Sequence, residues 1–300
     1  VRRTPLRPSS WLSRAASAEV RLKLETLQPT FSYKIRGAFN AVLRLIERSG
    51  MQAPPLVTAS AGNHGRALAW AAGEAGLPLV VYVSKHAPQT KIDAIRASGA
   101  DLVPCNDYDE AERQAKAHGA RGDALFISPY NHPDVIAGAG TVGLEILEDW
   151  PDVDLVVVPI GGGGLISGIA LACRGVSDRT SIAGVEAEAS SPFTKGISAG
   201  RIVEIDVEPT LADGLAGNLD PDTVTFEIVR RLVSTIALVD EDDLRAAIRG
   251  IVCEERLVAE GAGAAGVAAI LRGKLDVRGK RVGVVLSGAN IDPDTLKMIL

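Results

Sequence analysis

Aromatic residues are scarce in this 300-residue chain, 4% against 46% hydrophobic overall, so Ala, Val, Ile and Leu must fill the core alongside 31 glycines. That composition suits buried parallel strands and the helices that cover them. Cysteine is scarcer still. Cys105, Cys173 and Cys253 stand far apart and form no CxxC pair, which fits small core hydrophobes in a reducing compartment and an expected cytoplasmic location. His64, His86, His118 and His132 show no zinc-ligand spacing among themselves or with the cysteines. No apolar run reaches the ~20 residues that span a bilayer, so a membrane is not expected as a partner. Basic charge is not in excess, at 32 residues against 37 acidic and a net charge of −5. With no basic run, nucleic acid is not an expected partner either.

The start, VRRTPLRPSSWLSRAAS, is Arg- and Ser-rich, with no acid before Glu19. It has the flavour of a transit peptide, although Pro5 and Pro8 oppose the helix such a peptide needs. Val1 is not an initiator methionine, which suggests a trimmed chain.

From residue 56 the pattern alternates. Short apolar runs at 56–60, 78–83, 101–105 and 124–128 read as strands, separated by helical patterns at 63–75, 90–98 and 107–119. Strand–helix–strand at this spacing means a parallel sheet with crossover helices. Further on, 153–160, 182–188 and 281–287 read as strands, and 141–150, about 222–233, 241–257 and 261–271 as helices. Residues 188–220 are poor in periodicity and are expected to form a long functional loop. The fold class is therefore α/β, with two lobes of parallel-rich sheet flanked by helices.

Several turns carry chemistry. In VVVPIGGGGLISG a buried strand runs through Gly161, Gly162, Gly163 and Gly164 into a helix. Glycines admit an anion close to the backbone, and the helix N-terminus aims N–H groups at it, so a phosphate is the expected guest. The Gly-Lys-Ser/Thr ending of a P-loop is missing, and GxGxxG fails at its third glycine. Glu186, at the end of the next strand, keeps a dinucleotide reading open. TASAGNHG joins another strand to a helix, where the Ser60 hydroxyl, the Asn63 amide and local N–H groups form a donor cluster that suits a carboxylate; a simple N-cap by Ser60 or Asn63 is the plainer alternative, and His64 alone is more often a structural histidine than a base. LADGLAG carries the turn Asp213-Gly214, AEGAGAAG a glycine-packed helix start, and VVLSGAN places Ser287 and Asn290 at a strand end. Finally, TFSYKIRG holds Lys34 among hydroxyls and aromatics. A phosphate cradle, a carboxylate clamp and one such lysine together suit pyridoxal 5′-phosphate, whose aldehyde pairs with a lysine.

The runs RTPL (3–6), SYKIRGA (32–38), SAGNHG (60–65), VIAGAGT (135–141), PIGGGGLISG (159–168), LADG (211–214), EGAGAAG (260–266) and LSGAN (286–290) resemble, in order and spacing, the threonine/serine dehydratase group of fold-type II pyridoxal-phosphate enzymes. The resemblance implies a large cofactor-binding domain from residues 1–54 and 133–300 and a small mobile domain from 55–132. It implies that Lys34 carries the cofactor and moves the Cα proton, and that Tyr33 packs beside it where the group usually has Phe. Asn63 would hydrogen-bond the ring oxygen, Gly161–Gly164 hold the phosphate, Gly214 lie against the ring face and Ser287 meet the ring nitrogen. Ser60, Ala61, Asn63 and His64 would take the substrate carboxylate.

The implied function is β-elimination of a hydroxy amino acid, L-threonine or L-serine, to a 2-oxo acid and ammonia by a homodimer. The alternatives are 3-hydroxyaspartate or another β-hydroxy amino acid as substrate, a β-replacement enzyme, or a non-catalytic protein that binds the cofactor or a nucleotide. Serine racemases carry a serine where this chain has Ala61, on the face opposite the lysine, so elimination without efficient racemisation is expected. Racemase-like relatives bind a divalent cation through an acid matching Glu186 and a second acid where Pro192 now stands. The expectation is therefore no metal, with Glu186 either a residual candidate or a structural acid. The allosteric members carry a regulatory domain beyond the final motif, so a chain ending at Leu300 is expected to be a catabolic type.

Overall fold

The computed structural model describes residues 1–300, the Met51 side chain excepted. The elements begin with β1 (Leu6–Pro8), α1 (Ser10–Ala16), β2 (Glu19–Leu24) and α2 (Lys34–Ser49). There follow β3 (Leu56–Ala59), α3 (Asn63–Ala75), β4 (Leu79–Ser84), α4 (Gln89–Arg96), β5 (Asp101–Cys105), α5 (Tyr108–Ala120) and β6 (Leu125–Phe126). Next are α6 (Pro133–Asp149), β7 (Leu155–Pro159), α7 (Gly164–Val176), β8 (Ser181–Ala187) and α8 (Pro192–Ala199). The chain closes with α9 (Thr225–Leu232), β9 (Thr235–Val239), α10 (Glu241–Gly250), α11 (Gly261–Leu271), β10 (Arg281–Leu286) and α12 (Pro293–Ile299). Two compact units result, Lys34–Gly138 and Arg2–Tyr33 with Ala139–Leu300.

The smaller unit is built on a four-stranded sheet in the order β5-β4-β3-β6, parallel throughout. Its strands read as apolar runs because helices cover them, and Leu56, Leu68, Ile95 and Ile127 are almost fully buried. This unit takes in α2 and the first turns of α6 as well as the expected 55–132 span. Two glycines explain why. A Cβ on Gly138 would stand 2.4 Å from the Arg36 carbonyl, and one on Gly37 would stand 2.7 Å from that of Val135. The IRGA and VIAGAG runs are thus the contact surfaces of two helices whose backbones touch.

The larger unit holds six strands in the order β1-β2-β10-β7-β8-β9, parallel except for the antiparallel pair β1 and β2. All five residues of β7 are buried, and α11, GAGAAGVAAIL, is buried along nearly its whole length. Two expectations need correction here. Residues 188–220 are not one loop: α8 lies within them, with Pro192 at its first position and Gly200 left-handed at its end, the usual start and stop of a helix. The helix expected over 241–257 ends at Gly250. A π-helical turn follows at Ile251–Glu255, closed by Arg256 at φ 56°.

The RTPL run packs into a polar interior. Lys23, 0% exposed, donates to the Thr4 carbonyl at 2.7 Å and to Glu145 Oε2 at 2.6 Å. Thr4 Oγ1 donates to Glu25 Oε1 at 2.5 Å, and Gln28 Nε2 donates to Glu25 Oε2 at 3.2 Å. A buried ammonium needs such pairing, and removing one partner would leave the other charge unmatched. Among the described residues, no helix is long and apolar enough to cross a membrane.

Candidate active site

The approach to Lys34 is fastened residue by residue to the extension of β10. Asn290 Nδ2 donates to the Thr30 carbonyl at 3.0 Å, and Ala289 N–H to that of Phe31 at 2.9 Å. Ser32 and Gly288 form an antiparallel bridge, and Tyr33 N–H donates to the Ser287 carbonyl at 2.9 Å. Phe31 takes φ 58° to make this path, and the half-buried Tyr33 ring packs on the core of the larger unit. Lys34 then opens α2. Its half-buried side chain donates from Nζ to the Pro129 carbonyl, just past β6, at 2.9 Å.

The second group of predicted residues lies at the start of α3. Ser60 N–H donates to the Tyr82 carbonyl at 3.2 Å, and Ser60 Oγ accepts the Gly62 N–H at 3.2 Å. The N-cap is Gly62 and makes no side-chain bond, so neither Ser60 nor Asn63 caps this helix, and its first turn holds no acid. By contrast α1, α5, α10 and α12 each begin on a Ser or Asp side chain that accepts a backbone N–H. A 13-residue helix left open in this way favours an anion at its N-terminus.

Ser60, Ala61 and Asn63 are half-buried there, while His64 is 2% exposed. His64 Nε2 lies 3.2 Å from the Ile127 carbonyl. A carbonyl only accepts, so Nε2 carries the proton and Nδ1 is a bare, buried lone pair without a partner. Burial first, then the charge of Lys34, pushes the imidazole pKa down to about 3. His64 is therefore neutral and a poor base.

In the larger unit the glycine run turns from β7 into α7. Gly163 is the N-cap at φ 82°, and a Cβ there would stand 2.6 Å from Phe193 Cζ. A Cβ on Gly161 would stand 3.0 Å from the Gly214 carbonyl, so the Asp213–Leu215 turn lies against this loop. Thr225 Oγ1 donates to the Gly162 carbonyl at 2.8 Å and lies 2.8 Å from Thr223 Oγ1. Helix α7, like α3, starts without a side-chain cap or an acid in its first turn. Ser287 is buried where β10 ends, and a Cβ on Gly263 would meet the Gly288 carbonyl at 2.4 Å. The EGAGAAG and SGAN runs therefore meet backbone to backbone. Sequence reasoning missed Thr225, Pro129 and Ser128. Only the hydroxyl-rich DTVTF run hinted at the first, and nothing in the pattern marked the others.

Glu186 is 0% exposed and faces the start of α8. It accepts Phe193 N–H at 2.8 Å, Thr194 N–H at 2.9 Å and Thr194 Oγ1 at 2.6 Å. Both oxygens are engaged in capping a helix. Burial raises its pKa, opposed by these hydrogen bonds. Among the described residues no group of three or more His, Cys, Asp or Glu is placed to hold a metal ion.

The smaller unit thus carries a half-buried lysine and an uncapped helix start, and the larger unit a glycine run at a second uncapped start, and open helix starts of this kind suit anions. The sequence model of the pyridoxal-phosphate dependent enzymes matches residues 1–288, and the chain belongs to that family. A Thermotoga maritima protein named L-threonine ammonia-lyase is 43% identical over 301 aligned residues, covering 100% of this chain and 74% of that protein. The solved structure of maize serine racemase superposes with a TM-score of 0.92 at 31% identity, covering 99% of this chain and 91% of that one. The processed form of threonine deaminase isoform 2 from Solanum lycopersicum superposes with a TM-score of 0.91 at 32% identity, covering 99% and 87%. The residues present fit the family's cofactor: a Cβ at 163 would collide with Phe193 and one at 161 would crowd the Gly214 carbonyl, and this glycine run ends at a helix start with no side-chain cap, a setting that suits a phosphate.

Proposed function

We propose that the chain is a pyridoxal-phosphate-dependent ammonia-lyase that converts a β-hydroxy amino acid, L-threonine or L-serine, to a 2-oxo acid and ammonia, with 3-hydroxyaspartate as the alternative substrate. The observation that carries the reading is the glycine cradle at the uncapped start of α7, in a chain that matches the family over residues 1–288. When bound, the cofactor supplies an aldehyde for covalent capture and an electron sink that makes the Cα proton removable.

Each role falls to a residue of this chain. Gly161–Gly164 would hold the phosphate and Lys34 the aldehyde, with Tyr33 and Gly214 beside the ring and Asn63 at its oxygen. The open start of α3, with Ser60 and Asn63, would bind the substrate carboxylate and so aim Cα. Lys34 would take the Cα proton, because the neutral, buried His64 is a poor base. Ser287 offers a hydroxyl to the ring nitrogen and imposes no charge there, whereas a carboxylate would keep it protonated. That supports loss of the β-hydroxyl over transamination. Ala61 has no exchangeable proton, which weighs against racemisation despite the likeness to a racemase.

A cytoplasmic homodimer without a divalent cation belongs to the same reading. Three free cysteines agree with a reducing compartment, the bonds on both oxygens of Glu186 leave it poorly placed to take a cation, and exposed Leu27, Phe31 and Val258 line an apolar cleft suited to burial. Light scattering tests the assembly.

The decisive assay incubates purified protein with L-threonine, L-serine and L-threo-3-hydroxyaspartate, with and without Mg²⁺, and measures oxo acid and ammonia. Product from one of these in a protein with a visible cofactor band is expected. No product from any of them, with the band present, overturns the lyase reading.

A further inference from the structure

Within the smaller unit the Lys34 amine has a prepared resting place. Its acceptor, the Pro129 carbonyl at 2.9 Å, sits in a turn fastened on both sides. Upstream, Ile127 N–H donates to the Val57 carbonyl at 2.9 Å. The Ile127 carbonyl in turn takes two donors, Thr58 Oγ1 at 2.8 Å and His64 Nε2 at 3.2 Å, which occupy both its lone pairs. Downstream, Ser128 Oγ accepts the Asn131 N–H at 3.0 Å, and His132 Nδ1 accepts the Asp134 N–H at 3.2 Å. Asn40 Nδ2 then donates to the Asp134 carbonyl at 2.7 Å. Asn40 lies on α2, the helix that Lys34 opens, so donor and acceptor are tied to one frame. Pro129 itself has a fixed φ and no N–H to redirect the turn.

We propose that His64 and Ser128 are positioning residues for Lys34: together they fix the Ile127–Asn131 turn so that the Pro129 carbonyl holds the amine whenever it is not covalently engaged. The inference rests on the reading of Lys34 as the reactive amine. A lysine side chain carries much rotamer freedom, and an amine held at the Pro129 carbonyl meets an incoming aldehyde or Cα–H from a restricted direction. His64 suits the task because only its Nε2–H tautomer makes the bond to Ile127, and its neutrality leaves the amine unopposed. The strong lowering of its pKa by burial agrees with this.

The test is competitive labelling of the full chain by trace acetic anhydride, as purified and after hydroxylamine treatment, with acetylation of each lysine read by mass spectrometry. Lys34 is expected to be protected as purified and to react after treatment. In treated Ser128→Ala and His64→Leu chains, Lys34 should react roughly threefold to tenfold faster than in the parent, the factor that one lost hydrogen bond gives, with the other lysines unchanged. Ser128→Thr, which keeps the hydroxyl, should restore the parent rate. An unchanged Lys34 rate in folded variants, or an equal rise at every lysine, overturns the proposal. Should His64→Leu fail to fold, Ser128→Ala with its threonine rescue decides. Lack of protection as purified would sink the reading of Lys34 as the attachment point instead, and the comparison among treated chains would still stand on its own.

Discussion

Tyr33 donates its backbone N–H to the Ser287 carbonyl at 2.9 Å. One bond thus joins the residue before the lysine to the residue read as the ring-nitrogen partner. The Ser32–Gly288 bridge and the Ala289–Phe31 bond stand on either side of it. The strand that ends in SGAN therefore holds Phe31–Tyr33 within the larger unit, up to the residue before Lys34. Sequence separation between these two runs is large, so the fold and not local propensity makes the connection.

Lys34→Ala tests the centre of the reading. The substitution sits at the first position of a helix, where alanine is well accepted, so the fold should persist by circular dichroism. Turnover should fall by at least about 10³-fold, within the range seen when an acid–base group is lost, and borohydride should no longer fix the cofactor to the chain. Activity close to the parent level would end the assignment.

Gly163→Ala probes the cradle. The position combines φ 82° with a Cβ that would stand 2.6 Å from Phe193 Cζ and 2.9 Å from Thr225 Cβ. Left-handed strain alone costs about 1–3 kcal/mol, and the contacts add to it. Urea denaturation should show a loss of at least that size. Cofactor affinity, read by fluorescence titration, should drop by about tenfold or more, the equivalent of ~1.4 kcal/mol. A variant as stable as the parent and equally tight for cofactor would mean that the cradle tolerates a side chain.

Much of this cradle is legible in the amino-acid order, for a physical reason. A turn needs one glycine; four in succession between a buried strand and a helix point to a close approach by a ligand. Strands such as LVVVP announce themselves by being buried on both faces. The strands VRLKL and TIALV are harder to read. The first carries a lysine on its buried side, where only the distant Glu145 and Thr4 make it tolerable. Helix α8 does carry local signals in Pro192 and Gly200, but its first N–H groups are held by Glu186 from the preceding strand, a cap that a sequence window does not see. Pro129 is invisible for the same reason as any backbone acceptor: its carbonyl is common to every residue, and only the fold aims it.

His64 gives the smaller unit an acid sensitivity of predictable sign. Its folded pKa is about 3 against an ordinary 6.5, so between those values the unfolded chain holds the proton and the folded one does not. Stability therefore rises with pH across that window and falls as acid is added, by up to about 1.4 kcal/mol per pH unit for one group. The facing positive groups, Lys34 and His132, act in the same direction. His64→Gln removes the titration while keeping a donor for Ile127. Urea midpoints for parent and variant at pH 7, 6 and 5 should converge as the pH drops. Parallel lines through that range would show that His64 titrates alike in the folded and unfolded chain.

Ala61 offers the sharpest discrimination between two reactions on one scaffold. It follows Ser60, whose hydroxyl holds the Gly62 N–H, and precedes the open start of α3, which the proposed reading assigns to the substrate carboxylate. Removing the Cα proton on the Lys34 side and returning one on the other side needs a second proton carrier, which a methyl group cannot be. Ala61→Ser adds one hydroxyl to a half-buried position without a change of helix or turn. D-serine formed from L-serine, measured by chiral chromatography, should rise at least about tenfold over the parent, a modest fraction of what a placed acid–base group supplies. Oxo-acid release should persist, because Lys34 and the leaving hydroxyl are untouched. A variant that releases oxo acid at the parent rate with no gain in D-serine would show that residue 61 does not face Cα, and the carboxylate clamp would then have to be drawn elsewhere.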